Sequence, residues 1–302
     1  MATIIDGRAI AANVKKQVAE HIAGLDGRPR FVVIQAGDNP ASTVYVRNKL
    51  NACREMGIET VNATLDENIT EDDLLGLVEG FNNSPRFHGI LVQLPLPGHI
   101  RLEPVIEAID PVKDVDGFHP LNVGRLTVRS NIPYLHPCTP WGIVHMLDTV
   151  YKKDGEISGL RGKKIVVIGQ SLIVGRPLAI MLQNDGATVT MCDKHTPDLS
   201  AEVQGADIIV SATGVPFLVD PAMVEATGKK DITVIDAGIA KVDGKIVGDA
   251  HPDIYDMVGA ISPVPGGVGP VTVAFLTRNI LKAYCIQNGL PVPLITEYRS
   301  DQ

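Results

Sequence analysis

The sequence predicts an α/β protein of two domains. Three observations carry that prediction: a length of 302 residues, strand-like apolar runs that alternate with amphipathic helical stretches, and a proline-rich segment that interrupts the alternation once. At roughly 100–200 residues per domain the length suits two. Alternation of strand and helix is the pattern of a mostly parallel sheet covered by helices.

Residues 8–24 space Ile10, Val14, Val18 and Ile22 four apart, one stripe of an amphipathic helix. FVVIQAG reads as a strand, and the next helix is predicted from Pro40 to about Met56, stopped by Gly57. A strand near ETVNATL, a helix over EDDLLGLVEGFNN and a strand at GILVQL follow. The segment 95–140, with PLPGH, IDPVKDVDGFHP and NIPYLHPCTP, is read as loops and a crossing between domains. After a helix at about 140–151, the strands KKIVVIG, ATVTMC, ADIIVSAT, ITVIDAG and GAISPV form a second region, with helix PLAIMLQNDG between the first two. Strand, tight turn, helix and a strand ending in a charged residue make half of a Rossmann-type, doubly wound dinucleotide fold. Helix 271–288 closes the pattern.

Composition narrows the function. A net charge of −8 with no block of like charge argues against nucleic acid as partner. No apolar run approaches the ~20 residues of a membrane span. The opening MATIIDGRAI lacks the apolar core of a signal peptide, so a cytoplasmic location is expected. Cysteines at 53, 138, 192 and 285 form no CxxC pair and read as free thiols. The histidines form no HExxH and no Cys/His ligand spacing, so no metal is expected.

Several short stretches carry chemistry. In GQSLIVGRP, residues 169–177, Gly169 ends a strand and the helix is expected to resume at Pro177. Such a glycine lets backbone N–H groups approach an anion while a helix N-terminus faces it, and Ser171 adds a donor. The spacing matches neither G-x-G-x-x-G nor a Walker loop, so spacing alone leaves an ordinary βα turn open. Asp193 stands where a carboxylate would meet a ribose 2′-hydroxyl, whereas Lys194 suits a 2′-phosphate. In YVRNK, Tyr45 and Lys49 lie four apart on one helix face, an aromatic platform beside an amine that burial could make basic. Gln93 sits at the end of its strand before two prolines, Asp110 before Pro111 suits a turn, and Asp116 before a glycine is free to point at a ligand. SPVPGGVGPVT, residues 262–272, is stiff enough to shape a site.

YVRNK, VQLPLP, DPVKDVDGFHP, PCTPWG, GQSLIVGRP and PVPGGVGPVT together, in this order, resemble the bifunctional methylenetetrahydrofolate dehydrogenase/methenyltetrahydrofolate cyclohydrolase (FolD) family. The resemblance implies a folate-binding catalytic domain over residues 1–138 with the C-terminal segment 271–302. It also implies an NAD(P)-binding domain over 139–270 and a cleft between the two. It implies oxidation of 5,10-methylenetetrahydrofolate with NADP, then hydrolysis to 10-formyltetrahydrofolate, by a homodimer acting on tetrahydrofolate one-carbon derivatives. Lys49 would be the catalytic group, Gln93 its hydrogen-bond partner, Tyr45 a stacking platform and Asp116 the grip on the pterin. Pro265, Gly266 and Gly267 would wall the folate pocket. Thr139, Gly169, Gln170, Ser171, Lys194, Ile239 and Thr272 would contact the cofactor. Two positions depart from the family pattern: Gln170 replaces the arginine of GRS, and Val271 the methionine of PMT. The first leaves NAD as an alternative to NADP. A monofunctional NAD-dependent dehydrogenase and a non-catalytic nucleotide-sensing module are the competing readings. A hydroxy-acid dehydrogenase would want an arginine–histidine pair that no stretch supplies.

Overall fold

The computed structural model describes residues 2–153 and 158–295. Along the chain run β1 (Thr3–Ile4), α1 (Gly7–Ala23), β2 (Arg30–Ala36), α2 (Pro40–Glu55), β3 (Glu59–Leu65), α3 (Glu71–Asn82) and β4 (Gly89–Val92). Then come α4 (Leu102–Ala108), α5 (Pro120–Thr127), α6 (Cys138–Tyr151), β5 (Lys164–Ile168), α7 (Gly175–Asn184) and β6 (Thr188–Cys192). The rest is α8 (Leu199–Val203), β7 (Ile208–Ser211), α9 (Pro221–Ala226), β8 (Thr233–Asp236), β9 (Ala240–Val242), β10 (Lys245–Val247), a 3₁₀ turn at Pro252–Asp256, β11 (Ala260–Ile261) and α10 (Val268–Gln287).

The chain divides into two units. One comprises Ala12–Cys138 with residues 273–295; the other comprises residues 2–11 with Thr139–Thr272. The first eleven residues thus group with the second unit, not with the first as the sequence suggested. The cause is β1, which pairs with β11 at Thr3↔Ala260 and Ile4↔Ile261. Residues 296–302 of the expected C-terminal segment lie outside the described residues.

The first unit is built on a small parallel sheet of order β3-β2-β4. Its middle strand β2 is covered on both faces, which is why Phe31 to Ile34 are apolar without alternation and fully buried. Val32, Ile34, Ile90 and Val92 pack against Leu74 and Val78 of α3 and Val105 of α4. Burial of each such side chain stabilises the fold by about 1.5–3 kcal/mol. β4 stops at Val92, short of the predicted GILVQL, but the Gln93 N–H still donates to the Ile34 carbonyl at 2.8 Å. The segment 95–140, expected as loops, contains α4 and α5. Each is about two turns and starts beside a proline, which the first turn of a helix tolerates because its N–H needs no partner there.

The second unit carries a six-stranded sheet, order β1-β11-β8-β7-β5-β6, parallel throughout. Succession reverses at β5, with β6 on one side and β7, β8 and β11 on the other. This is the 2-1-3-4-5 form of the doubly wound sheet, with a switch point between β5 and β7. Val166, Ile168, Ile209, Val234 and Ile261 form its core with Val203, Val224 and Ile254. α7 starts at Gly175 and α10 at Val268, each a few residues before its predicted start. Among the described residues, no helix is long and apolar enough to cross a membrane. The four cysteines are free and buried.

Candidate active site

In the first unit, α2 presents Tyr45 and Lys49 one turn apart. Tyr45 is 41% exposed, and the buried part of its surroundings raises its phenol pKa. Lys49 is half-buried, and its Nζ donates to Gln93 Oε1 at 3.1 Å. Gln93 Nε2 donates in turn to the Leu94 carbonyl at 2.6 Å, so the amide oxygen is left facing the lysine. A strand end, a helix face and one amide therefore fix where the amine points.

The DPVKDVDG stretch reaches the same strand. Ile90 and Asp114 form a parallel bridge beside β4, with the Ile90 N–H donating to the Lys113 carbonyl at 2.8 Å. Most of the motif is scaffold. Asp110 Oδ1 accepts from the Val112 N–H at 3.0 Å, the turn expected before a proline. Lys113 is buried and donates to the carbonyls of Phe81, Asn82 and Ser84 at 3.2, 2.7 and 2.9 Å, finishing α3. Asp114 is buried too. It accepts from the N–H groups of Gly117 and His119 at 3.1 and 2.8 Å and from Asn122 Nδ2 at 3.0 Å. Burial raises its carboxyl pKa, and these donors oppose the rise.

Asp116 differs from all of these. Its carboxylate forms no hydrogen bond among the described residues. Burial raises its pKa to about 6, with the Lys49 ammonium pulling it down and Asp114 pushing it up. Gly117 lets the loop turn away: its φ is +77°, and a Cβ there would fall 2.3 Å from the His136 carbonyl carbon. From α10, Asn279 Nδ2 donates to the Val115 and His136 carbonyls at 2.9 and 2.7 Å, pinning both sides of that close approach. Asp114, Asn122 and Asn279 were not singled out from sequence as supports. An asparagine inside the apolar run of α10 was the available signal.

In the second unit, the parallel strands end together, and the turns after β5, β6, β7 and β8 share one edge. Gly169 follows β5 at the switch point with φ +109°, and its N–H donates to the Cys192 carbonyl at 2.8 Å. A Cβ there would lie 2.5 Å from the Ala212 carbonyl oxygen, so only glycine fits. The expectation that the helix N-terminus meets an anion needs correction. Ser171 Oγ accepts from the N–H groups of Val174 and Gly175 at 3.1 and 3.4 Å, and its carbonyl takes the Arg176 N–H at 3.1 Å. The leading donors of α7 are thus used, while the N–H groups of Gln170 and Ser171 form no hydrogen bond among the described residues. The turn itself offers the free donors.

Gln170 Nε2 lies 3.5 Å from the Met191 carbonyl, and Arg176 Nε donates to the Gln170 carbonyl at 3.1 Å. Asp193 Oδ1 accepts from the His195 N–H at 2.9 Å, which ties that carboxylate into its own turn and leaves Lys194 exposed. Ile239 follows β8 and is 49% exposed. Thr139 and Thr272 pair through their hydroxyls at 3.0 Å. Pro265, Gly266 and Gly267, expected with the folate residues, follow β11 in this second unit, whereas Tyr45, Lys49, Gln93 and Asp116 belong to the first. No group of His, Cys, Asp and Glu suited to a metal occurs among the described residues.

A family model described as the tetrahydrofolate dehydrogenase/cyclohydrolase catalytic domain matches residues 5–116, and the NAD(P)-binding domain of the same description matches residues 137–288. The chain is similar to the bifunctional protein FolD of Hydrogenobaculum sp. (strain Y04AAS1), with 45% identity over 282 residues, 93% of this chain and 98% of the relative. Its fold is similar to the crystal structure of the bifunctional enzyme FolD from Campylobacter jejuni: TM-score 0.87, 42% identity, covering 96% of this chain and 100% of that one. It is similar also to the Trypanosoma brucei methylenetetrahydrofolate dehydrogenase-cyclohydrolase complexed with NADP and an inhibitor. That match has a TM-score of 0.85 and 37% identity, and covers 94% of this chain and 97% of the other.

Proposed function

Because the chain belongs to the tetrahydrofolate dehydrogenase/cyclohydrolase family, we propose that Lys49, oriented by Gln93 and set beside Asp116, is its catalytic group. The protein is an oxidoreductase and a hydrolase of one-carbon folate metabolism. It oxidises 5,10-methylenetetrahydrofolate to the 5,10-methenyl form and hydrolyses that to 10-formyltetrahydrofolate. The observation that carries the residue assignment is the 3.1 Å contact from Lys49 Nζ to Gln93 Oε1, with the uncommitted Asp116 carboxylate within electrostatic reach of the same amine.

Asp116 accepts the ring N–H and exocyclic amine of the pterin, donors that one carboxylate can serve together. Tyr45, with its ring partly open to solvent, lies along the aminobenzoyl portion. For ring opening, water adds to the methenyl carbon, Lys49 serves as the base for the water's proton, and the bond from that carbon to N5 breaks to leave the formyl group on N10. Gln93 cannot compete for that proton. Its role is to hold Nζ on one line of approach.

The cofactor is NADP, which when bound accepts the hydride. The residues present fit a dinucleotide: a turn that no Cβ could enter, with two N–H groups unspent, at the switch point of a parallel sheet. Gly169, Gln170 and Ser171 would hold the phosphates, and Ile239, Thr139 and Thr272 would border the nicotinamide half. Lys194, exposed after β6, would meet the 2′-phosphate in this reading and take over from the arginine that Gln170 replaces. Homodimeric assembly in the cytoplasm completes the reading.

One experiment tests it. The purified protein is mixed with methylenetetrahydrofolate and NADP or NAD, and separately with methenyltetrahydrofolate alone. Nicotinamide reduction in the first and loss of the methenyl chromophore in the second are expected; absence of either removes the corresponding activity.

A further inference from the structure

Two buried carboxylates in the second unit have no place in the chemistry above. Asp236 ends β8 and Asp249 follows β10; their exposures are 2% and 0%. Each lies over a glycine of the other's loop. A Cβ on Gly238 would come 1.9 Å from Asp249 Oδ1, and a Cβ on Gly248 would come 1.9 Å from Asp236 Oδ2. The two segments, Asp-Ala-Gly and Gly-Asp, are therefore clasped reciprocally.

The donors are all uncharged. Asp236 Oδ1 accepts from the N–H groups of Gly238 and Asp249 at 3.0 Å each, and Oδ2 from the Ala250 N–H at 2.8 Å. Asp249 Oδ2 accepts from Ser211 Oγ at 2.6 Å and from the Thr213 N–H and Oγ1 at 2.8 Å each. Burying a like-charged pair without a cation is costly. An apolar pair could fill the volume but could not gather six donors from three loops.

Those loops lead to the dinucleotide turn. Between Ser211 and Thr213, Ala212 donates its N–H to the Ile168 carbonyl at 2.8 Å and sets its own carbonyl oxygen 2.5 Å from where a Gly169 Cβ would be. The wall behind Gly169 is thus hung on Asp249 Oδ2, and the Gly238–Ile239 step is hung on Asp236. We propose that the Asp236–Asp249 clasp is the positioning device of the cofactor site, setting the backbone against which the Gly169 turn and Ile239 meet the dinucleotide. This rests on the cofactor reading above.

Asp249 Oδ1 has no hydrogen-bond partner, and that makes the idea sharp. An asparagine can offer its carbonyl oxygen to the three donors and leave its NH₂ in the place of Oδ1, whereas alanine abandons all three. The test compares Asp249→Ala, Asp249→Asn and Thr213→Val. For each variant, the KM for NADP, the KM for methylenetetrahydrofolate and the NADP-independent hydrolysis of methenyltetrahydrofolate are measured.

Asp249→Ala should raise the KM for NADP about 10-fold or more, with hydrolysis within about twofold of the parent. Asp249→Asn should recover most of the loss. Thr213→Val, which removes only one hydroxyl donor, should raise the KM for NADP about threefold; it decides the matter if the alanine variant does not fold. Equal loss of hydrolysis would make the clasp a general support of the fold and overturn the proposal, as would an unchanged KM for NADP. A parent protein that does not bind NADP fails the cofactor reading itself, before any variant is made.

Discussion

The two units use the same device differently. Both are parallel sheets whose strand ends carry the functional residues, as open α/β sheets do. In the first unit the working atoms are side-chain termini: the Lys49 amine, the Gln93 amide and the Asp116 carboxylate. In the second they are backbone N–H groups of a turn, held by glycine and by carboxylates that touch no ligand in our reading. Side chains can be named from sequence, and one substitution removes them. A backbone site is spread over loops, and only what supports the loops can be substituted.

The largest effect should come from the first unit. Lys49→Met removes the base while keeping most of the stem's bulk, and should lower methenyltetrahydrofolate hydrolysis by about 10²–10⁴-fold with folate binding little changed. Hydrolysis at the parent rate would remove Lys49 from the chemistry. Asp116→Ala loses a charge-assisted contact worth about 1.5–3 kcal/mol, about 10- to 150-fold in the KM for folate. The dissociation constant for NADP should not move, and a change confined to NADP would transfer Asp116 to the other site.

Protonation of Asp116 gives a subtler test. With its carboxyl at about 6, kcat/KM for folate should fall as pH drops below 6, and Asp116→Asn should lack that limb. Stability should move oppositely. The folded-state pKa lies above the unfolded value, so the protonated form is favoured in the fold and the carboxylate is destabilising above pH 6. Asp116→Asn should therefore melt above the parent at pH 7.5, with the gap closing as pH falls from 6 to 4. A lower Tm at pH 7.5 would contradict the burial argument.

The smallest effect belongs to the second unit. Gln170→Arg adds a cation to the turn after β5, and should raise kcat/KM for NADP over NAD by about fivefold, the worth of one partly exposed charge contact. An unchanged ratio of the two cofactors would mean that position 170 does not read the 2′ group.

Legibility in the sequence follows the same division. The stripe of α1, the uniform β2 and the run of β5 were readable because a long periodic segment repeats its signal. α4 and α5 were not: at about two turns, with Pro104 and Pro120 in their first turns, they carry the composition of loops. β1 has only two residues, and its neighbour in the sheet is far away in the chain. Asp116 was readable because an acid before a glycine stands out, but nothing on paper marks Asp114, two residues earlier, as its support. Three donors that hold Asp114 separate them, and only the folded loop decides which of the two carboxylates those donors reach. Asp236 and Asp249 were invisible for that reason too. Each ends an unremarkable stretch, and only the folded loops bring one over the other's glycine.

The pairing of β1 with β11 bears on how the protein is made. During synthesis Thr3 and Ile4 emerge ahead of every other strand described above, and the strand that receives them, Ala260–Ile261, emerges more than two hundred residues later. At ~5–20 residues per second, the ribosome leaves that edge of the second unit open for roughly 10–50 s, while the whole of β2 to β4 is already available to pair. The first unit's sheet can thus assemble on the nascent chain, whereas the second must keep its earliest strand waiting for its last.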